Sequence, residues 1–159
     1  MISWNEHKNL HLAAWYHDVV YDPRRQDNED RSADVAREAL QALLLDSDRI
    51  VRVCDLIRMT KDHIAPEKDI AAQWFLDADL SILNGYPEDY ERYSAEIRQE
   101  YAWVADEQYY PARRAVLQRL LDRPAIFGTP RQREFEADAR ANIAAEIAQI
   151  DAILRTLPP

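Results

Sequence analysis

The sequence predicts an all-α protein, a compact bundle of about seven helices, and three observations carry that expectation. Apolar residues recur at three- and four-residue spacing over most of the chain. Glycine occurs only twice in 159 residues, at Gly85 and Gly128, which leaves little for tight hairpins or phosphate-cradling glycine loops. No two alternating apolar runs read as a strand pair. With 47% hydrophobic and 31% charged residues, the chain reads as globular rather than disordered.

The first helix is expected over Lys8 to Tyr21, where Leu10, Ala13, Ala14, His17 and Tyr21 keep helical spacing until Pro23 ends the pattern. A polar turn follows, from Asp22 to Asp27. Asn28 reads as the N-cap of a second helix, with Glu29 and Asp30 in the first turn, where the helix dipole favours acids. Ala36, Ala39, Leu40, Leu43 and Leu44 give that helix its apolar face. A third helix, Ser47 to Lys61, aligns Ile50, Cys54 and Ile57 and stops near His63, ahead of Pro66. The fourth runs from Asp69 to Leu83 and is closed by Asn84 and Gly85.

Beyond Pro87, Tyr90, Tyr93, Ile97, Tyr101 and Val104 form a long helix with an aromatic stripe. Pro111 is expected to start another, carrying Val116, Leu117, Leu120 and Leu121. After Gly128 and Pro130, a last helix aligns Phe135, Ala139, Ile143, Ile147, Ile150 and Leu154. The expected organisation is one domain over 1–159, with residues 1–85 as one half and 86–159 packing on it.

Composition also excludes several functions. A formal charge of −9 argues against a nucleic-acid surface. One cysteine, Cys54, rules out an internal disulfide framework and suits a reducing compartment. No apolar stretch approaches the ~18–20 residues of a membrane span, and no signal peptide is visible. The expectation is a soluble, cytoplasmic domain with neither nucleic acid nor membrane as partner.

Core helices avoid carboxylates on their apolar faces, because an unpaired buried charge is costly. Two segments break that rule. One is Trp15-Tyr16-His17-Asp18-Val19-Val20-Tyr21, an imidazole and a carboxylate enclosed by aromatic and β-branched residues. The other is Trp74 to Leu83, with Asp77 and Asp79. On a helix Asp79 shares its face with Phe75, Leu76, Ile82 and Leu83, whereas Asp77 faces the mixed set Gln73, Trp74, Leu80 and Ser81. Asp79 is therefore expected to need a buried positive partner. A divalent metal would satisfy His17, Asp18 and Asp79 together, and mixed nitrogen and oxygen donors suit zinc, manganese, iron or, less comfortably, magnesium. The plain alternative pairs Asp79 with an arginine and leaves His17 a hydrogen-bonded core histidine.

His17-Asp18 with a distant Asp79 in Ala78-Asp79-Leu80 resembles the signature of the HD superfamily of metal-dependent phosphohydrolases. The likeness is greatest to its branch of predicted bacterial hydrolases. It extends through Asn28-Glu29-Asp30-Arg31-Ser32-Ala33, Thr60-Lys61-Asp62-His63, Ile97-Arg98-Gln99-Glu100-Tyr101 and Ala139-Arg140-Ala141-Asn142-Ile143, nearly the whole chain. The resemblance implies an all-α fold converging on a divalent metal, with His17, Asp18 and Asp79 as ligands and a small phosphorylated substrate such as a nucleotide. Glu29 or His63 would position water or a proton, and Lys61, Arg24 and Arg25 would meet phosphate oxygens. Each has a plainer reading: Glu29 as an acid at a helix N-terminus, His63 as a helix-terminal histidine, the cations as solvated loop residues.

The usual signature also has an earlier histidine on an upstream helix. Only 16 residues precede His17, and that helix has no room. His7 and His11 are the candidate replacements, about 15 and 9 Å from His17 along an intact helix. Two further readings therefore stand beside the enzyme. One is a non-catalytic HD-fold module that binds a nucleotide or a protein partner. The other is a structural bundle that forms a homodimer through its aromatic helix. The tyrosine stripe could line a nucleobase pocket or simply be core, while Arg98 and Arg113 are expected in structural ion pairs.

Overall fold

Ser3 caps the chain's first helix: its hydroxyl accepts the Glu6 N–H at 3.2 Å, so the helix begins at Trp4, four residues ahead of the expected start. In the computed structural model, which describes residues 2–157, every regular element is helical and no strand occurs among the described residues. The α-helices are α1 (Trp4–Tyr16), α2 (Asn28–Ala42), α3 (Ser47–Met59), α4 (Ile70–Asp79), α5 (Pro87–Glu100), α6 (Asp106–Leu121) and α7 (Glu136–Leu154). Two 3-10 segments, Leu80–Asn84 and Gln132–Phe135, complete the set. No helix among the described residues is long and apolar enough to cross a membrane.

Several boundaries differ from the sequence reading, for local reasons. The first helix ends at Tyr16 rather than Tyr21, because the Ser32 hydroxyl of α2 takes over the Val20 backbone, accepting its N–H at 3.1 Å and donating to its carbonyl at 3.2 Å. Asn28 is the first residue of α2, not its cap. Its side chain instead brackets Asp22, accepting that N–H at 3.2 Å and donating to that carbonyl at 2.9 Å. The fourth helix tightens to 3-10 geometry at Leu80. Pro111 lies inside α6 rather than at its start.

The chain divides into two compact units, Met1–Asp79 and Leu80–Pro159. In the first, Ala33, Ala36 and Leu40 of α2 meet Ile50, Val53, Cys54 and Ile57 of α3, and Ala13, Ala72 and Phe75 close the core from α1 and α4. Cys54 is buried, its thiol donating to the Ala33 carbonyl at 3.3 Å. A polar seam sets the register of the outer helices. Arg52 of α3 donates to Glu6 of α1 at 2.7 Å and forks onto Asp69, ahead of α4, at 2.6 and 2.8 Å. The same Asp69 carboxylate accepts the Ala72 N–H at 3.0 Å and so caps α4.

In the second unit, Leu83, Tyr90, Leu117, Phe127, Ile143 and Ile150 form the core. Glu146 is buried beside them, its side chain only 6% exposed. Arg113 forks onto it at 2.7 and 3.1 Å, and the Tyr90 hydroxyl donates to it at 2.6 Å. Arg98 pairs with Asp106 at 2.6 Å and lies 4.5 Å from the Tyr109 ring centroid, so both arginines are structural. Tyr90 is core, at 3% exposure.

Removing one partner of a buried ion pair strands the other charge, so Arg113→Ala should destabilise the fold by roughly 3–5 kcal/mol. Replacing Arg113 and Glu146 together by leucine should cost much less. Urea unfolding followed by circular dichroism measures both, and equal losses would refute the stranded-charge account.

Candidate functional site

Three separate stretches of the first unit bring their polar side chains to one carboxylate. His17 is the C-cap of α1 and is held by a hydrogen bond from its Nδ1 to the Ala14 carbonyl at 2.9 Å. Its ring meets Phe75 edge-on, with centroids 6.2 Å apart. Its Nε2 lies 3.4 Å from Asp79 Oδ1 and 3.3 Å from Asp18 Oδ2. His63 follows α3, and its Nε2 is 2.9 Å from Asp79 Oδ2. Asp79 itself is the last residue of α4.

The backbone at His63 is unusual. After α3 ends, its N–H returns to the Met59 carbonyl at 2.9 Å and its φ is +50°. A side chain in the left-handed region is uncommon and signals a position fixed by its surroundings. Here that conformation accompanies the contact between the imidazole and Asp79.

The electrostatics follow from this sharing. The hydrogen bond to Asp79 is the main reason that the His17 pKa rises from 6.5 to about 9; burial opposes the rise and the Asp18 charge assists it. Burial works against the Asp79 charge, but hydrogen bonds from His17 and His63 outweigh it and hold that carboxyl well below the usual carboxylate range. The cluster is a protonated imidazole and a carboxylate at the protein surface: the side chains of His17, His63 and Asp79 are 23%, 24% and 26% exposed. Asp18 is more open, at 66%.

The other residues singled out in the sequence occupy the rim or support it. Glu29 is half-buried in the first turn of α2. Lys61 donates to the Gln26 carbonyl at 2.9 Å and ties the turn from Asp22 to Asp27 to the end of α3. Arg25 is committed to Asp27 at 2.7 Å through both ends of its fork, while the exposed Arg24 has its N–H on Asp22 at 2.9 Å. Asp77, expected on a mixed face, is the more buried acid at 3% exposure, and Asp79 sits at the helix end. The helical-face argument assumed that α4 continues to Leu83, and it does not. Sequence reasoning gave no role to Ser32, which fixes the chain after His17. Its signal is a small hydroxyl on the same buried face as Ala33 and Ala36.

His17, His63, Asp18 and Asp79 offer the imidazole and carboxylate donors that zinc, manganese or iron accept. Their chemistry fits such an ion. Their spacing, with Nε2 of both histidines turned on Asp79, is that of hydrogen bonds, and among the described residues no set of three or more side chains is arranged to hold a metal. A cavity of about 560 Å³ belongs to the second unit and is lined by residues that include Tyr90, Ser94, Arg98, Tyr110 and Glu146. Its Arg98 and Glu146 are spent on ion pairs with Asp106 and Arg113, so the His–Asp cluster is the better candidate for chemistry. Comparison with protein-family models, curated proteins and solved structures finds no match.

In chelator-treated protein, the raised His17 pKa gives a sign to the pH dependence. Folded protein binds this proton more tightly than unfolded protein, so the contribution is complete below about 6.5 and is lost as pH rises toward about 9. Urea midpoints should fall across that window, and His17→Gln should flatten the decline. A wild-type profile flat between those values would contradict the shared-carboxylate geometry.

Proposed function

We propose that the first unit is a metal-dependent phosphohydrolase of the HD type, acting on a small phosphate ester such as a nucleotide. The observation that carries this reading is the convergence of His17, Asp18, His63 and Asp79 from three stretches of the chain onto one partly open surface. The resemblance of the His-Asp and Ala-Asp-Leu segments to the HD signature supports it.

His17, Asp18 and Asp79 would hold the ion. Held there, a divalent ion would supply Lewis acidity toward a phosphoryl oxygen and would acidify a water, whose pKa in such sites falls from about 15.7 toward ~7. His63, hydrogen-bonded to Asp79, is placed to hold or pass a proton at Nε2. Lys61 steadies the turn that presents Arg24, whose fork suits phosphate oxygens. Glu29 would orient water from the first turn of α2. The formal charge of −9 favours a small substrate over nucleic acid. A cytoplasmic setting belongs to the same reading, since the single thiol is free and buried.

One observation favours a second reading, a non-catalytic module that binds a nucleotide or a protein. The His–Asp cluster satisfies itself by hydrogen bonds without an ion.

Metal analysis by inductively coupled plasma, with a panel of phosphate esters and added manganese or zinc, separates the two. The enzyme should hydrolyse at least one ester, and Asp79→Ala should lose more than the ~10–100-fold typical of groups that only orient a ligand. Protein that stays metal-free and inert with both ions would leave the binding module.

A further inference from the structure

The outer face of α1 carries four exposed side chains that take no part in its unit's core; the Lys8 ammonium lies 5.2 Å from the Trp4 ring centroid on the same helix. Trp4 and Trp15 are 73% and 83% exposed, and His7 and His11 between them are exposed as well. The inward residues of the helix are Asn9 and Ala13, both buried. At 100° per residue, the four outward side chains fall within about 80° of arc, so they form one stripe.

Two histidines at i and i+4 on one helix face are a bidentate arrangement for a transition metal. A tetrahedral ion still lacks two protein donors there. The stripe suggests where they come from, because it is close to palindromic. The tryptophan pair and the histidine pair are centred within about half a residue of each other, near Asn9. A two-fold axis through that level sets two α1 helices antiparallel. It places His7 of one copy beside His11 of the partner subunit, and Trp4 beside Trp15 of the partner subunit. Such an isologous contact uses the same patch twice.

We propose that this face is a metal-dependent self-association surface, in which His7 and His11 of two copies together hold one zinc-like ion between flanking tryptophans. The area argues for the metal dependence. Two aromatic side chains bury roughly 300–500 Å² per copy, well below the ~800 Å² per partner of a stable interface. Two acidic copies, each of formal charge −9, also repel. Ion coordination supplies what the apolar contact lacks, and it is distinct from the His17–Asp79 cluster.

Sedimentation velocity of the full chain tests this directly. The protein should be monomeric in chelator and dimeric when zinc is added. The double variant H7A/H11A should remain monomeric with zinc while keeping its helical circular dichroism, since both residues are exposed. Asp79→Asn should still dimerise with zinc, which separates this surface from the phosphohydrolase site. Trp15→Ala should weaken the zinc dimer at least about tenfold. A dimer that persists in chelator, a zinc dimer indifferent to H7A/H11A, or zinc-shifted His7 and His11 resonances in a chain that stays monomeric would each overturn the proposal.

Discussion

The carboxylate of Asp79 is the constraint on which the first unit's chemistry depends. It lies about three-quarters buried and accepts from two imidazoles on opposite oxygens. A lone carboxylate in that position would be costly, and the shared one is held ionised instead. The end of α1, the turn after α3 and the end of α4 are brought to the same point. The left-handed backbone of His63 belongs to that convergence, and α4 ends at the shared carboxylate. Local strain at one residue is offset by two charge-assisted hydrogen bonds.

The periodicity of apolar residues made the helices legible, because buried faces such as Ile50–Cys54–Ile57 and Ile143–Ile150 leave a local mark. His17 and Asp79 were legible too, as polar groups where a core helix should be apolar. What stayed hidden depends on partners distant in sequence. Nothing near Val20 announces that Ser32 will satisfy its backbone and end α1 early. Nothing near Met59 announces a left-handed His63, and Glu146 reads as one more acid on a helix until Arg113 and Tyr90 close on it. The relative burial of Asp77 and Asp79 was misread for a related reason: a helical wheel assumes regular helix through both, and the change to 3-10 geometry at Leu80 removes that assumption.

The two units solve the problem of a buried acid differently. Glu146 is neutralised by an arginine fork and a tyrosine hydroxyl, an arrangement with every oxygen spoken for and little exposure. Such a group orders a core. Asp79 is neutralised by imidazoles, a side chain that can exchange its proton and can ligate metals where a guanidinium cannot. It also remains a quarter exposed. Arginine makes the first arrangement permanent, and histidine leaves the second open to exchange, which is why the smaller, more exposed cluster carries the functional reading.

Helix α1 shows how this division reaches the surface. Its position is set by polar contacts: Glu6 is clamped by Arg52, Asn9 donates to Glu6 at 3.1 Å and accepts from Arg49 at 3.1 Å, and His17 closes the far end on Asp79. Against the core it places the small, fully buried Ala13 with the partly buried Leu10, Leu12 and Tyr16. Tyr16 is the one aromatic residue that α1 packs against this core, and both of its tryptophans stand outside. Burying them elsewhere would be worth a few kcal/mol each. A helix anchored by charge rather than by bulk is free to present that apolar area to another surface without loosening the unit it belongs to.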